Sequence, residues 1–232
     1  MPGLFWSGRF EAPLVVEDAV AIVTDSDANV YSLITDYPAP IISKYDKYGN
    51  RLWVKQYTFT VGYEQSRLWI NDAGKLVYAN SGSIYFFNTD SGVMESRYTN
   101  YRVGPGTIAQ GKAWADDGTN IWASDYANND SIVYKYNSSG AIIGAWETTS
   151  IVPVTTYCGT ISGNYYAIGV RDTNAQAGVW LFNTSSNTLS TLQFATDNVT
   201  HSIATLSGGD LIARTTDNKV IRLQTDGTIV WA

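Results

Sequence analysis

The sequence predicts an all-β chain: a five-bladed β-propeller with four antiparallel strands per blade. Three observations carry that expectation. A strand-and-turn unit recurs with a period of about 46 residues, and 232 residues hold about five such units. The third strand of each unit is apolar at both odd and even positions. Sheets covered on both faces, in equal units of four strands, describe blades stacked around an axis.

The first turn of each unit is short and built from residues that tolerate positive φ. In order these turns are Asp25-Ser26-Asp27-Ala28-Asn29, Asn71-Asp72-Ala73-Gly74, Asp116-Asp117-Gly118-Thr119-Asn120, Ser162-Gly163-Asn164 and Ser207-Gly208-Gly209-Asp210. The residues opening the next strand are Val30, Leu76, Ile121, Tyr165 and Leu211, separated by 46, 45, 44 and 46 positions. A second turn follows the third strand: Tyr45-Asp46-Lys47-Tyr48-Gly49, Phe87-Asn88-Thr89-Asp90-Ser91-Gly92, Tyr136-Asn137-Ser138-Ser139-Gly140, Phe182-Asn183-Thr184-Ser185-Ser186-Asn187 and Leu223-Gln224-Thr225-Asp226-Gly227. Three residues before the large side chain that opens it sit Ile42, Ile84, Val133, Val179 and Val220, all β-branched. A half-solvated strand would leave one parity polar, and these do not.

The expected organisation is one domain, 1–232, with blades near 15–57, 58–98, 99–147, 148–194 and 195–232. Residues 1–14 form a closing strand or arm. Within it, residues 4–10 are expected to pair with the short last strand, so that N- and C-terminal strands close the ring without a bare sheet edge. A β-sandwich has no need of five equal units.

Composition excludes several function classes. With 44% hydrophobic and 16% charged residues the chain is not disordered. No run of about 18 uncharged apolar residues occurs, so no membrane insertion is expected. The first ten residues lack the basic flank and apolar run of a secretory signal. A single cysteine, Cys158, excludes an internal disulfide framework. A net charge of −6 without a Lys/Arg cluster argues against nucleic acid.

The second turn carries a resemblance. Ile42-Ser43-Lys44-Tyr45-Asp46-Lys47-Tyr48-Gly49-Asn50-Arg51-Leu52-Trp53 resembles the bacterial β-propeller repeat of the SBBP type, and Ile132-Val133-Tyr134-Lys135-Tyr136-Asn137-Ser138-Ser139-Gly140 and residues 220–231 are weaker copies. The turn Asp226-Gly227, followed four residues later by Trp231, is also similar to the PQQ-like repeat. The resemblance covers the whole chain as architecture and about three hairpins as sequence. It implies a bacterial surface protein or a structural protein of a tailed bacteriophage. The motif marks a turn, so it brings no catalytic residue and no cofactor.

Candidate binding residues fall in the loops joining second to third strands and in those between blades, on one rim. They are Asp36, Tyr37, Tyr63, Glu64, Asn80, Tyr101, Arg102, Asp125, Tyr126, Arg171, Asp172 and His201, with Tyr157, Asp197, Asn198 and Asp217 beside them. Aromatic rings among Asp and Asn suit a sugar; the same residues also cap turns and prop loops, and turn chemistry alone selects them. Counting twelve back from the second strands places Asp18 and Glu64 at the channel mouth, where two carboxylates could bind a cation or split a glycosidic bond. The other three blades place Ala109, Pro153 and Val199 there, and a one-residue slip reverses the facing. A hydrated channel wall is the alternative, and no metal site is expected. His201 lacks a nucleophile elbow nearby, and Cys158 reads as a small buried hydrophobe. Trp69 and Trp114, and Trp53 and Trp231, hold equivalent positions and read as packing. Leu4, Phe5, Trp6 and Phe10 lie outside the repeat and could dock on a partner.

The expected function is a non-enzymatic binding or assembly module: a structural, decoration or adhesion protein of a bacteriophage virion, made in the host cytoplasm. Its partners would be capsid or tail proteins or a host surface glycan. The alternatives are a lectin and a glycoside hydrolase using Asp18 and Glu64.

Overall fold

The computed structural model describes residues 19–36, 39–58, 67–80, 83–99, 112–127, 130–148, 155–171, 177–193, 200–215 and 219–231. These form twenty strands in five four-stranded sheets, each an antiparallel meander in chain order. The first sheet holds β1 (Ala19–Thr24), β2 (Val30–Asp36), β3 (Ala39–Tyr45) and β4 (Arg51–Gln56); the second holds β5 (Arg67–Ile70), β6 (Leu76–Asn80), β7 (Ser83–Phe87) and β8 (Met94–Thr99). The third contains β9 (Lys112–Asp116), β10 (Asn120–Ala127), β11 (Asp130–Asn137) and β12 (Ile142–Thr148). The fourth contains β13 (Thr155–Ser162), β14 (Tyr165–Arg171), β15 (Ala177–Asn183) and β16 (Thr188–Gln193). The fifth contains β17 (Thr200–Thr205), β18 (Leu211–Thr215), β19 (Val220–Leu223) and β20 (Ile229–Trp231). This is the all-β, five-by-four arrangement read from the repeat.

Both turns of every unit lie where the sequence puts them, between first and second and between third and fourth strands. In several of them a polar first residue explains why. Asp46 Oδ1 accepts the amides of Tyr48 and Asn50, each at 2.9 Å. Asn137 Oδ1 takes those of Ser139 at 3.1 Å and Ala141 at 2.9 Å. Asn183 Oδ1 takes those of Ser185 and Ser186 at 2.9 and 3.0 Å. A side-chain oxygen thus satisfies amides that the reversal takes out of the ladder.

The chain divides into two compact units, residues 1–78 with 85–96, and residues 79–84 with 97–232. In the first, β1 lies beside β5, and Tyr31, Leu33 and Ile42 of the first sheet share a core with Leu68, Leu76, Tyr78, Tyr85 and Phe87 of the second. In the second, β9 lies beside β13 and β13 beside β17, so the first strands are the inner ones.

The fourth sheet serves two cores at once. Tyr166, Ile168, Val170, Trp180 and Phe182 pack with Ala113, Ala115, Trp122 and Val133 of the third sheet. Their neighbours in sequence, Ala167, Ala177, Val179 and Leu181, pack with Leu211, Ala213, Ile221 and Leu223 of the fifth. A period of two sends successive side chains to opposite faces, so a strand covered on both sides has no polar parity. The fourth strands are the exception: every residue of β20 is exposed, as is every residue of β4 except the half-buried Trp53.

Where sheets meet, backbone spacing is tight. A Cβ on Gly159 of β13 would overlap the carbonyl of Ala113 in β9. That carbonyl accepts the Tyr166 hydroxyl, and Ala113 itself sits at φ 50°. Four inner strands, β1, β9, β13 and β17, carry a register shift against their partners toward the end away from the first turn. Such an extra residue turns the side chains beyond it to the other face, a feature that counting back from the second strand does not include.

Candidate functional site

Each sheet has two ends, one with its two hairpin turns and one with the loop joining its second and third strands. Asp36 closes β2, Asn80 closes β6, Asp125 and Tyr126 lie near the end of β10, and Arg171 closes β14. All five therefore sit at the loop end of their sheets. Asn80 is buried at 4% exposure, while Arg171 is exposed. His201 and Tyr157 lie near the starts of β17 and β13, at the same end of their sheets. Tyr37, Tyr63, Glu64, Tyr101, Arg102, Asp172, Asp197, Asn198 and Asp217 lie outside the described residues, as do Asp18 of the channel-mouth pair and Leu4, Phe5, Trp6 and Phe10 of the arm. Cys158 is half-buried rather than buried, with Sγ 3.6 Å from the carbonyl of Thr200.

The turn end holds the more developed side-chain geometry. In the first unit the carbonyl of Thr89, in the second turn of the second sheet, accepts three side chains of the first sheet. They are Lys44 Nζ and Trp53 Nε1 at 3.1 Å each and the Tyr31 hydroxyl at 3.4 Å. Tyr57 donates its hydroxyl to the carbonyl of Gly92 in the same turn at 2.5 Å. Lys44 is 6% exposed, its ammonium 5.2 Å from the Tyr31 ring centre and 3.7 Å from Asp90. A buried ammonium needs such acceptors, because leaving it unpaired costs several kcal/mol. Tyr31 also donates to Asp25 at 3.0 Å. Burial first, and the Asp25 carboxylate second, push the Tyr31 hydroxyl above the ordinary tyrosine range. Burial works against the Asp25 charge, but bonds from Asn29, Tyr31 and Asp27 outweigh it and hold that carboxyl below its usual value.

In the second unit Asp117 has the same task. Its carboxylate takes Trp122 Nε1 at 2.7 Å and the amides of Thr119 and Asn120 at 2.9 and 2.6 Å. Trp122 is stacked on Trp146, centroids 5.8 Å apart at 22°, with Lys135 Nζ 5.1 Å from its ring centre. Lys135 and Lys44 occupy the same place in the repeat, before the ring that opens the second turn.

Sequence reasoning missed a cleft of about 390 Å³ in the second unit. It is lined by residues 162–165 and 208–210 from the first turns of the fourth and fifth sheets, and by 224–226 from the second turn of the fifth. Ser162 Oγ donates to the carbonyl of Gly209 at 2.5 Å and ties two walls together. Asp210 is held by Arg222, whose Nε and Nη2 reach the same carboxylate oxygen at 2.8 and 2.6 Å. The doubled glycine of Gly208-Gly209 was the one available signal, since the other first turns have at most one glycine. Among the described residues no group of three or more His, Cys, Asp or Glu is placed to hold a metal ion.

No protein-family model matches the chain, and no curated protein sequence matches it either. Solved structures do. BamB from Moraxella catarrhalis superposes with a TM-score of 0.57 at 14% identity over 91% of this chain, and Sqt1 of Saccharomyces cerevisiae with 0.64 at 16% over 93%. The Dos1 propeller gives 0.57 at 12% over 93%. The chain spans 62%, 61% and 69% of the lengths of those three proteins, respectively. At these identities the likeness is one of fold, and the fold is the β-propeller.

Proposed function

We propose that the chain is a non-enzymatic binding and assembly module for other proteins, serving as a structural or decoration protein of a bacteriophage virion. The supporting observation is that individual fourth strands leave apolar side chains exposed. Leu52 and Val54 on β4, Ile143 on β12, and Ile229, Val230 and Trp231 on β20 are each at least 44% exposed. Apolar side chains left exposed on a strand favour burial against a partner, and on β4 the flanking Arg51 and Lys55 suit a polar rim. The described turn carboxylates Asp25, Asp46 and Asp117 are committed to turn amides, which supports scaffold over catalyst. The phage assignment comes from the resemblance of the second turn to the bacterial propeller repeat. The arm residues Leu4, Phe5, Trp6 and Phe10 are a second docking element in this reading.

Mass spectrometry of purified particles tests it, together with the gene's neighbours. Incorporation in fixed ratio to a capsid or tail protein is the expected result, lost in a Leu52→Glu, Val54→Glu double variant whose melting temperature is unchanged. A gene far from any capsid or tail gene, with a product absent from particles, would overturn the assignment.

A further inference from the structure

We infer that the cleft between the turns of the fourth and fifth sheets is a binding site for a neutral saccharide unit presenting adjacent hydroxyls. This site does not depend on the virion assignment and lies at the end of these sheets opposite the loops. A cleft of about 390 Å³ lies within the range of small-ligand sites. Its lining is mixed in the way a polyol requires. Tyr165 is half-buried, packed against the core of the fourth and fifth sheets, and is the aromatic residue among those lining the cleft. Asn164 and Gln224 are exposed carboxamides that both donate and accept, so each can read a hydroxyl in either sense.

Charge narrows the class. The lining contains no Lys or Arg, and Arg222 just behind it is spent on Asp210. Asp226 faces the cleft as an exposed carboxylate, and the amide and hydroxyl of Thr228 hold its carboxyl below the usual range. Because Arg222 neutralises Asp210, the lining keeps one net negative charge, that of Asp226, which disfavours phosphate, sulfate and acidic sugars, while both carboxylates remain acceptors for hydroxyls. Backbone access is open as well. Nothing lies within 4 Å of where a Cβ would stand on Gly163 or Gly208, so a ring can approach both turns.

The test titrates the full chain with methyl glycosides of glucose, galactose, mannose and N-acetylglucosamine to about 50 mM, following backbone amide shifts by NMR. A separate arm uses calcium chloride alone. Saturable shifts at Gly163, Asn164, Gly208 and Gly209 with one of the sugars are expected. Asn164→Ala and Gln224→Ala should each weaken binding about fivefold, the worth of one hydrogen bond, with melting temperature unchanged. A short oligosaccharide ending in the same unit separates the two sources: tighter binding than the methyl glycoside marks a glycan end, equal binding a free sugar, and both uphold the site. Absence of saturable shifts with every sugar, shifts elsewhere on the protein, or a response to calcium alone would overturn it.

Discussion

The carbonyl of Thr89 draws Lys44, Trp53 and Tyr31 out of another sheet, so its partners belong to a tertiary contact 36 to 58 residues away in sequence. Replacing Lys44 with Met keeps the apolar stem and removes the ammonium, which leaves Trp53 and Tyr31 still donating. A loss of about 1–2 kcal/mol is expected, read from the urea midpoint; Lys44→Ala should cost more because packing goes too. The exposed Asp90 contributes little to this pair. Lys44 was visible in sequence as part of a turn motif, but its acceptor was not, because no local pattern encodes which carbonyl a neighbouring sheet will offer. Asp117 makes the complementary case: its place in the turn was legible, its bond to Trp122 was not. Asp117→Ala removes a turn acceptor and strands a buried indole N–H, for an expected cost of about 2 kcal/mol. Burial alone would raise the Asp117 carboxyl, yet bonds from Trp122, Asn120 and Thr119 hold it low. Its contribution is therefore present above the ordinary carboxylate pKa and disappears as pH falls through the lowered one. The Asp117→Asn variant keeps the turn acceptor without titrating, so its acid unfolding limb should be shallower than that of the native chain.

Strands carry a different kind of information. Apolar residues at both parities foretold sheets covered on two faces, and β7 and β15 are buried along nearly their whole length. Periodicity could foretell this because facing depends only on the two-residue repeat. The register shifts of β1, β9, β13 and β17 left no such trace, since an extra residue in one strand is defined only against its partner. For that reason a position counted back along such a strand does not by itself give a side chain's facing, whereas a turn is fixed by its own residues. Gly159 gives an element-scale prediction. In an ordinary strand Gly→Ala is stabilising by roughly 0.5–1 kcal/mol, but here the methyl would meet the Ala113 backbone, which cannot swing aside as a side chain can. Gly159→Ala should instead lower stability by at least about 2 kcal/mol. Thermal melting decides: an unchanged or raised midpoint would mean that β9 and β13 are not pressed together. Gly163→Ala, in open space at φ +54°, serves as the comparison and should show only the backbone cost of about 1 kcal/mol.

At the scale of the chain, the repeat made the fold readable because each unit restates the same turn chemistry, while the ligand was hard to read because the residues between turns differ from unit to unit. What the repeat also sets is how the sheets of the second unit depend on one another. In a linear array each unit leans on its neighbours, and stability is a sum of unit and interface contributions. The fourth sheet has no face of its own to spare. Trp180 belongs to the core shared with the third sheet, and Leu181, the next residue, to the core shared with the fifth. If unfolding is cooperative across these interfaces, damage on either side must be felt on both. Trp180→Ala should cost about 3–5 kcal/mol and Leu181→Ala about 2–5, each moving one guanidinium transition without splitting it. Native-state hydrogen exchange then discriminates, since in both variants the slow amides of β10 and of β18 should lose protection together. Protection lost in β10 alone for Trp180→Ala, and in β18 alone for Leu181→Ala, would instead mean that each pair of sheets opens independently of the rest.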